Sequence, residues 1–273
     1  TFDFNEVVGS RDEAHGYKVA TVISQGELVD GMGGGTCQVS GTLHGAAFFA
    51  GLEVVDRRPH TRPSGYIKMG LDSTVVYPTI TLKLRNPFPF AVVLHETVEN
   101  GEVRAEILGP PRTRDVTFFR KIGQATPFKE KEIHDPKIPR GERVLTQRGI
   151  PGFYVTRYRI VRDGPFAARE KSIDSYPPTV QIWRVGTGEP DKSFEAKDDG
   201  HPEYVADELL TIMQGPSARP GSAERGGATV ESRVAGKYGS YGWTVREGFT
   251  KEIKPREGKS RGEPKDPQNP GVD

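Results

Sequence analysis

Cys37 is the chain's only cysteine, and it follows Gly33-Gly34-Gly35-Thr36. A thiol reacts as its thiolate, and a helix N-terminus lowers a thiol's pKa from about 8.5 through its unpaired N–H groups and partial positive charge. Residues 36–50 carry Val39, Leu43, Ala46, Ala47 and Ala50 at helical spacing, with Gly51 where a C′ glycine belongs. The pattern predicts a helix with Thr36 as N-cap and Cys37 in its first turn. Backbone amides near Gly34, Gly35 and Gln38 would then be placed to hold a developing oxyanion. A nucleophile also needs a base and a group that orients it. His60 ends the strand expected after the helix, and Asp72 lies in the next turn region, giving the order Cys37–His60–Asp72. His44, two turns beyond Cys37, is a second candidate partner that sits far along the helix.

Each of these residues has a plainer reading. A single cysteine often serves as a small buried hydrophobe, His60 as a loop histidine, and Asp72 as a turn aspartate. Arg57, Arg58 and Arg62 form a basic cluster near His60, suited either to a carboxylate or phosphate ligand or to a solvated strand edge. Tyr66, Asn5 and Glu6 complete the candidate substrate-binding set. The carboxylates Glu6, Glu53 and Asp72 leave open an acid–base pair for glycosidic cleavage. No tight His/Cys/Asp ligand spacing points to a metal, and no phosphate loop or dinucleotide fingerprint points to a cofactor, so none of either is expected.

The elements that must position these groups follow from pattern. Val19 to Ile23 is a β-branched run and predicts a strand; Gly51 to Arg58 alternates like one. Further strands are expected at Gly65–Met69, Ser73–Tyr77, Thr79–Leu84 and Phe90–Leu94, and a hairpin at Asn100-Gly101 between apolar runs. Residues 1–109 therefore predict an α+β domain, one main helix packed on antiparallel strands with a thiol-enzyme-like core. Residues 112–188 predict a small elongated all-β module with strands at Val116–Phe119, Phe153–Val161 and Val180–Val185. Residues 189–273 read as a Gly-, Pro- and charge-rich tail, mostly irregular. Within it Tyr204–Met213 predicts a short helix, Tyr238–Phe249 a strand pair, and Lys254–Asp273 disorder.

Composition narrows the classes further. Among 273 residues, 38 basic side chains face 37 acidic ones, which gives no reason to expect a nucleic-acid partner. No apolar run approaches the roughly 20 residues of a membrane span. One cysteine excludes an internal disulfide framework. The chain opens without a signal-peptide pattern, so a targeting or anchoring segment removed from it is left open.

Phe2-Asp3-Phe4-Asn5-Glu6-Val7-Val8-Gly9, Gly16-Tyr17-Lys18 and Gly33-Gly34-Gly35-Thr36-Cys37-Gln38-Val39-Ser40 closely resemble the VanW-like family, named from vancomycin-resistance gene clusters. Ala50-Gly51-Leu52-Glu53, Arg58-Pro59-His60 and Gly70-Leu71-Asp72-Ser73-Thr74-Val75 continue the likeness over about residues 1–109. The chain departs from that family's usual aromatic at His44 and its usual arginine at Leu71. Asp135-Pro136, Pro139-Arg140-Gly141, Gln147-Arg148-Gly149, Gly152 and Val185-Gly186-Thr187 resemble the small glycine-named β module of cell-wall proteins, associated with N-acetylglucosamine-containing glycan. The two resemblances imply an extracytoplasmic protein of the bacterial envelope with peptidoglycan as its partner. Three functions fit: a cysteine-dependent amide hydrolase or transpeptidase on stem peptides, a glycan-cleaving enzyme using carboxylates, or a non-catalytic peptidoglycan binder.

Overall fold

The computed structural model describes residues 1–24, 27–201, 203–217, 228–235 and 241–247. Strand β1 (Phe2–Asp3) leads into the short helix α1 (Phe4–Val8), which Asp3 caps by accepting the Asn5 and Glu6 amides. A 3-10 turn (Glu13–His15) precedes the hairpin β2 (Val19–Ser24) and β3 (Glu27–Met32). Helix α2 (Thr36–Ala50) follows, then β4 (Glu53–Asp56), β5 (Lys83–Arg85) and the hairpin β6 (Val93–Glu99) and β7 (Glu102–Leu108). Strand β5 lies between β1 and β4 in an antiparallel three-stranded sheet. The hairpin expected at Asn100-Gly101 is present, and both turn residues take positive φ, 51° and 76°.

Beyond residue 108 the described structure is all β. Strands β8 (Asp115–Thr126), β11 (Gly152–Asp163) and β12 (Phe166–Tyr176) form one side of a six-stranded sheet. Its other side is β14 (Asp207–Gln214), β15 (Ala228–Ala235) and β16 (Tyr241–Glu247), in the order β12-β11-β8-β14-β15-β16. A second sheet sets β13 (Gln181–Gly188) between β10 (Arg143–Gln147), antiparallel, and β9 (Glu130–Pro139), parallel. The chain is thus mostly β-strand with few helices.

Several local expectations are corrected. Residues 204–213 do not form a helix. Leu210 is fully buried and Ile212 packs in the same apolar cluster, so alternate residues face the core and β14 pairs antiparallel with β8. The tail therefore supplies strands rather than being largely irregular at 207–214, 228–235 and 241–247. The strand pair expected within 238–249 is instead β15 with β16, and Tyr238 itself lies outside the described residues, as does the stretch 254–273. Residues 65–69, 73–77 and most of 79–84 are turns and isolated bridges, Arg58 with Thr74 and Val76 with Ile80. The Gly70 amide beside the first stretch and the Val75 amide within the second go to Asp72 and to the Cys37 sulfur rather than into a ladder.

Two apolar clusters place helix α2. One face packs Leu43 and Ala47 against Phe4, Leu52, Val75, Leu82 and Leu84, and Cys37 and Val39 sit at its edge. The other presents Phe48 and Phe49, with Leu71, to Val116, Phe118 and Leu210 of the six-stranded sheet. The Phe48 and Phe118 rings meet edge to face at 5.7 Å, a pair worth about 0.5–1.5 kcal/mol beyond its burial. Arg159 of β11 donates to the carbonyls of Phe48 and Leu52 at 2.8 and 2.7 Å, satisfying the C-terminal end of α2. The helix is therefore clamped between the N-terminal sheet and the β-rich half.

Candidate functional site

The N-cap of α2 is Gly35, at φ 87°, rather than Thr36, and no side chain caps the helix. A left-handed cap admits glycine at low cost, which accounts for the residue type there. Thr36 turns its hydroxyl back to the Gly33 carbonyl. Cys37 is the second helical residue and half-buried. The Thr36, Gln38 and Val39 amides bond to the Gly33 and Gly35 carbonyls, so the Gln38 backbone amide is already committed. The Cys37 amide is not among those bonded to these loop carbonyls.

One short segment, residues 70–75, collects the rest of the site. Gly41 interrupts α2, and a Cβ there would stand 3.3 Å from Ile67 Cδ1 and 3.4 Å from the Ser73 nitrogen. Its absence lets residues 72–73 lie against the helix, at the roughly 1 kcal/mol that a mid-helix glycine costs relative to alanine. Ser40 fixes the contact by donating to the Ser73 carbonyl at 2.7 Å. The Thr74 amide donates to the Arg58 carbonyl at 2.8 Å, so the chain after β4 runs beside this segment. The Val75 amide points at Cys37 Sγ from 3.5 Å. Three sequence-distant groups, Cys37, His60 and Asp72, are brought together this way.

His60 is buried, and its backbone amide and Nδ1 both reach Asp72 Oδ2, at 2.8 and 2.9 Å. Its other nitrogen, Nε2, lies 3.5 Å from the Tyr66 hydroxyl, and Cys37 acts on the ring through a hydrogen bond and charge. Asp72 Oδ1 accepts from Arg57 Nη2 at 2.6 Å, from the Tyr176 hydroxyl at 2.6 Å and from the Gly70 amide at 3.2 Å. Burial alone would favour the protonated acid, but these donors and the Arg57 charge hold its carboxyl well below the usual carboxylate range. Burial opposes charge on His60 as well. Its hydrogen bonds to Asp72 and Cys37 prevail and push it up to about 9. Burial raises the Cys37 thiol, yet the hydrogen bond from His60, the Val75 amide and the nearby charges of His60 and Arg11 leave it below its ordinary value. Each of the two groups thus favours the charged form of the other.

The other candidate residues fall elsewhere. Arg57 cannot serve a ligand: its side chain is 2 % exposed, and it donates to Asp72 and, at 2.6 Å, to Asp174. Asn5 is likewise spent, on the Val76 and Ile80 carbonyls and on Arg11. Glu6 and Arg58 are exposed, Arg62 is buried, and Tyr66 stands exposed at the rim beside His60. Glu53 pairs with Arg85 on an open sheet surface. His44 is fully buried with Nδ1 on the Leu71 carbonyl at 2.7 Å, and burial with the Arg57 and Arg157 charges drives it down to about 3. It stays neutral and takes no part in the Cys37 cluster. A polar cleft of about 240 Å³ opens between the halves of the molecule, lined by Val54, Asp56, Arg57, Arg157 and Glu170. Cys37 and His60 are not in its wall.

Sequence reasoning missed Ser40 and Gly41, though a glycine inside an amphipathic helix is a visible signal of close approach. It also missed Asp174 and Tyr176, whose partners lie more than 100 positions away and leave no local signal. Among the described residues no three His, Cys, Asp or Glu side chains are grouped to hold a metal, and no helix is long and apolar enough to cross a membrane.

Comparison with known proteins fits this division. Residues 1–108 match the family described as VanW like protein, and residues 121–188 match the G5 domain. The uncharacterized protein YoaR of Bacillus subtilis (strain 168) is 47% identical over 136 residues, which cover 49% of this chain and 44% of that protein. The chain thus spans less than half the length of this relative. The solved G5 domain of an IgA1 protease is 22% identical with a TM-score of 0.20, covering 29% of this chain and 99% of that one. Residues 1–108 are a VanW-like domain and residues 121–188 a G5 domain, a pairing typical of cell-envelope proteins.

Proposed function

From a chain that carries a VanW-like domain followed by a G5 domain, we propose an extracytoplasmic, cell-wall-associated enzyme that performs acyl transfer on peptidoglycan stem peptides through Cys37. The observation that carries this reading is His60 held between the Cys37 thiol and an Asp72 that is locked in its ionised form. Cys37 Sγ attacks a peptide carbonyl carbon. The amides at the start of α2, that of Cys37 first, receive the oxyanion, with the Gln38 side chain and the Gly34-Gly35 backbone around it. Imidazolium His60 then gives its Nε2 proton to the leaving amine as the C–N bond breaks, leaving a thioester on Cys37. Neutral His60 next takes a proton from the attacking group. Water gives hydrolysis; an amine of a second stem peptide gives a cross-link. Asp72 keeps Nδ1 protonated and the ring oriented throughout.

The order Cys–His–Asp along the chain supports a thiol-enzyme-like core, and the G5 domain supports a glycan-binding role beside it. Cleavage of the glycan strand is disfavoured. A glycosidase acid must be protonated near its working pH, whereas Asp72, the carboxylate of this site, is held ionised. The test is incubation of wild-type and Cys37→Ala protein with purified peptidoglycan, followed by mass spectrometry of the products. Released or newly cross-linked stem peptides in the wild type alone are expected. Shortened glycan with intact stems, or equal products from Cys37→Ala, would overturn the proposal. Binding without any turnover would favour a peptidoglycan-binding protein.

A further inference from the structure

Both oxygens of Asp72 are engaged, Oδ2 from within its own half of the chain and Oδ1 from both halves. Oδ2 is occupied by His60, twelve residues away. Oδ1 receives Tyr176, which is 104 residues away at the end of β12. The Tyr176 ring is 1% exposed and packs with Ile150, Phe153 and Val155 of its own module and with Met69 from the segment just before Asp72. Its hydroxyl also accepts the Gly70 amide at 2.8 Å, so it bridges the start of the 70–75 segment to the carboxylate. Two residues earlier on β12, Asp174 accepts Arg57 Nη1 at 2.6 Å. Arg57 meanwhile gives Nη2 to Asp72 Oδ1 and Nε to the Asp72 carbonyl, each at 2.6 Å. The guanidinium is thus forked between a carboxylate of each module.

We propose that Tyr176 and Asp174, carried by strand β12 of the second module, are positioning residues for the Cys37–His60 pair, fixing Asp72 through a direct hydrogen bond and through Arg57. The inference rests on the acyl-transfer reading above. Its physical basis is torsional. His60 ties only Oδ2, and from the same segment the Gly70 amide reaches Oδ1 at the longer distance of 3.2 Å. Tyr176 and the doubly anchored Arg57 tie the other. Charge is balanced at the same time, because Arg57 and Arg157 face Asp72 and Asp174, with Arg157 Nε 3.2 Å from Asp174. Neutral His44 and the Tyr66 and Tyr204 hydroxyls are other titratable groups near Asp72, and Arg120 contributes a more distant positive charge. Tyr176 is held far above its ordinary value, first by burial and then by Asp72, so it remains a donor at any working pH. Beyond this residue Pro177-Pro178 leads into β13, a stiff connection that sets where the hydroxyl stands. On this account the VanW-like domain alone is an incompletely held site, and the β-rich half does more than bind.

The test uses the full chain and its single thiol, so iodoacetamide reports Cys37 alone. Alkylation rate is followed against pH for wild type, Tyr176→Phe, Asp174→Asn and Asp174→Glu, with thermal melting of each. In the wild type the rate should reach its plateau at a pH well below that of a free thiol. Tyr176→Phe and Asp174→Asn should move the midpoint upward by about half to one pH unit, an approximately 3- to 10-fold slower reaction below the midpoint. Asp174→Glu should restore part of the shift. If variants melt earlier while their midpoints overlay the wild type, the residues are only structural and the positioning role is wrong, with the acyl-transfer reading intact. A wild-type midpoint at the ordinary thiol value would bring down both. Should Asp174→Asn fail to fold, Tyr176→Phe, which removes one oxygen and keeps the ring, still decides.

Discussion

Two buried histidines lie near the same aspartate and are driven in opposite directions. His44, on the far turns of α2, is fully buried with its Nδ1 on a carbonyl and two arginines nearby, and is driven down to about 3. His60, after β4, is almost as buried but has Nδ1 on a carboxylate and a thiol beyond, and is pushed up to about 9. Burial is the largest influence on both and acts the same way on both, so it cannot explain the difference. The partner does: a carbonyl offers a dipole, whereas Asp72 offers a full charge, kept ionised by its hydrogen bonds with His60 and by the Arg57 charge. The charge on His60 therefore depends less on its burial than on the carboxylate it meets.

The comparison can be broken most severely at Arg57. Replacing it with Met leaves Asp72 and Asp174 buried without their common cation. A loss of about 3–5 kcal/mol is expected in denaturant unfolding, the cost of breaking a buried pair from one side. A change under 1 kcal/mol would mean that Arg57 is not what keeps Asp72 charged. Next in size is Asp72→Asn, which turns the His60 environment into one like that of His44. By NMR titration, His60 should fall from about 9 to the free value of about 6.5 or lower. An unchanged midpoint would show that the thiol, not the carboxylate, sets its charge.

The pH dependence of stability sharpens the same contrast. His60 is raised in the folded state, so its contribution is complete below about 6.5 and is lost as pH rises through about 9. His44 is depressed, so the unfolded chain takes up a proton that the native one refuses, and stability falls as pH drops from about 6.5 toward about 3. Asp72 steepens the acid side, because its folded carboxyl lies below the unfolded value. Melting temperature against pH should therefore flatten at the alkaline end in His60→Gln and between about pH 4 and 6 in His44→Phe. The smallest effect expected is His44→Phe at neutral pH. It removes the hydrogen bond to Leu71 but keeps the ring packing on Phe48, for a change of about 1 kcal/mol. Cys37 alkylation should not move.

How much of this the sequence disclosed follows the range of each interaction. Helix α2 and its glycine stop were legible because they depend on local periodicity, and the Asn100-Gly101 hairpin because its turn demands positive φ. Cys37, His60 and Asp72 were legible as residue types in order, and the structure brings them within one cluster. The segment 65–77 was misread as strands. Its β-branched residues resemble a strand, but its amides go to Arg58, to Asp72 and to the Cys37 sulfur rather than into a ladder. Arg57 looked like a ligand contact and is instead an internal tie, since its second partner, Asp174, is 117 positions away. Strand β14 looked helical because what makes it a strand is pairing with β8 and β15. What escaped for Arg57 is a contact between the two halves of the chain, and for β14 and residues 65–77 contacts within one half.

The account stands on Cys37 forming a covalent intermediate, and the most direct measurement is the intact mass of the protein quenched in acid during incubation with purified muropeptides. A thioester adduct on Cys37, equal to the donor stem minus its leaving amine, is predicted in the wild type and absent from Cys37→Ser. Peptide products that accumulate with no adduct, or that persist undiminished in Cys37→Ser, would contradict it.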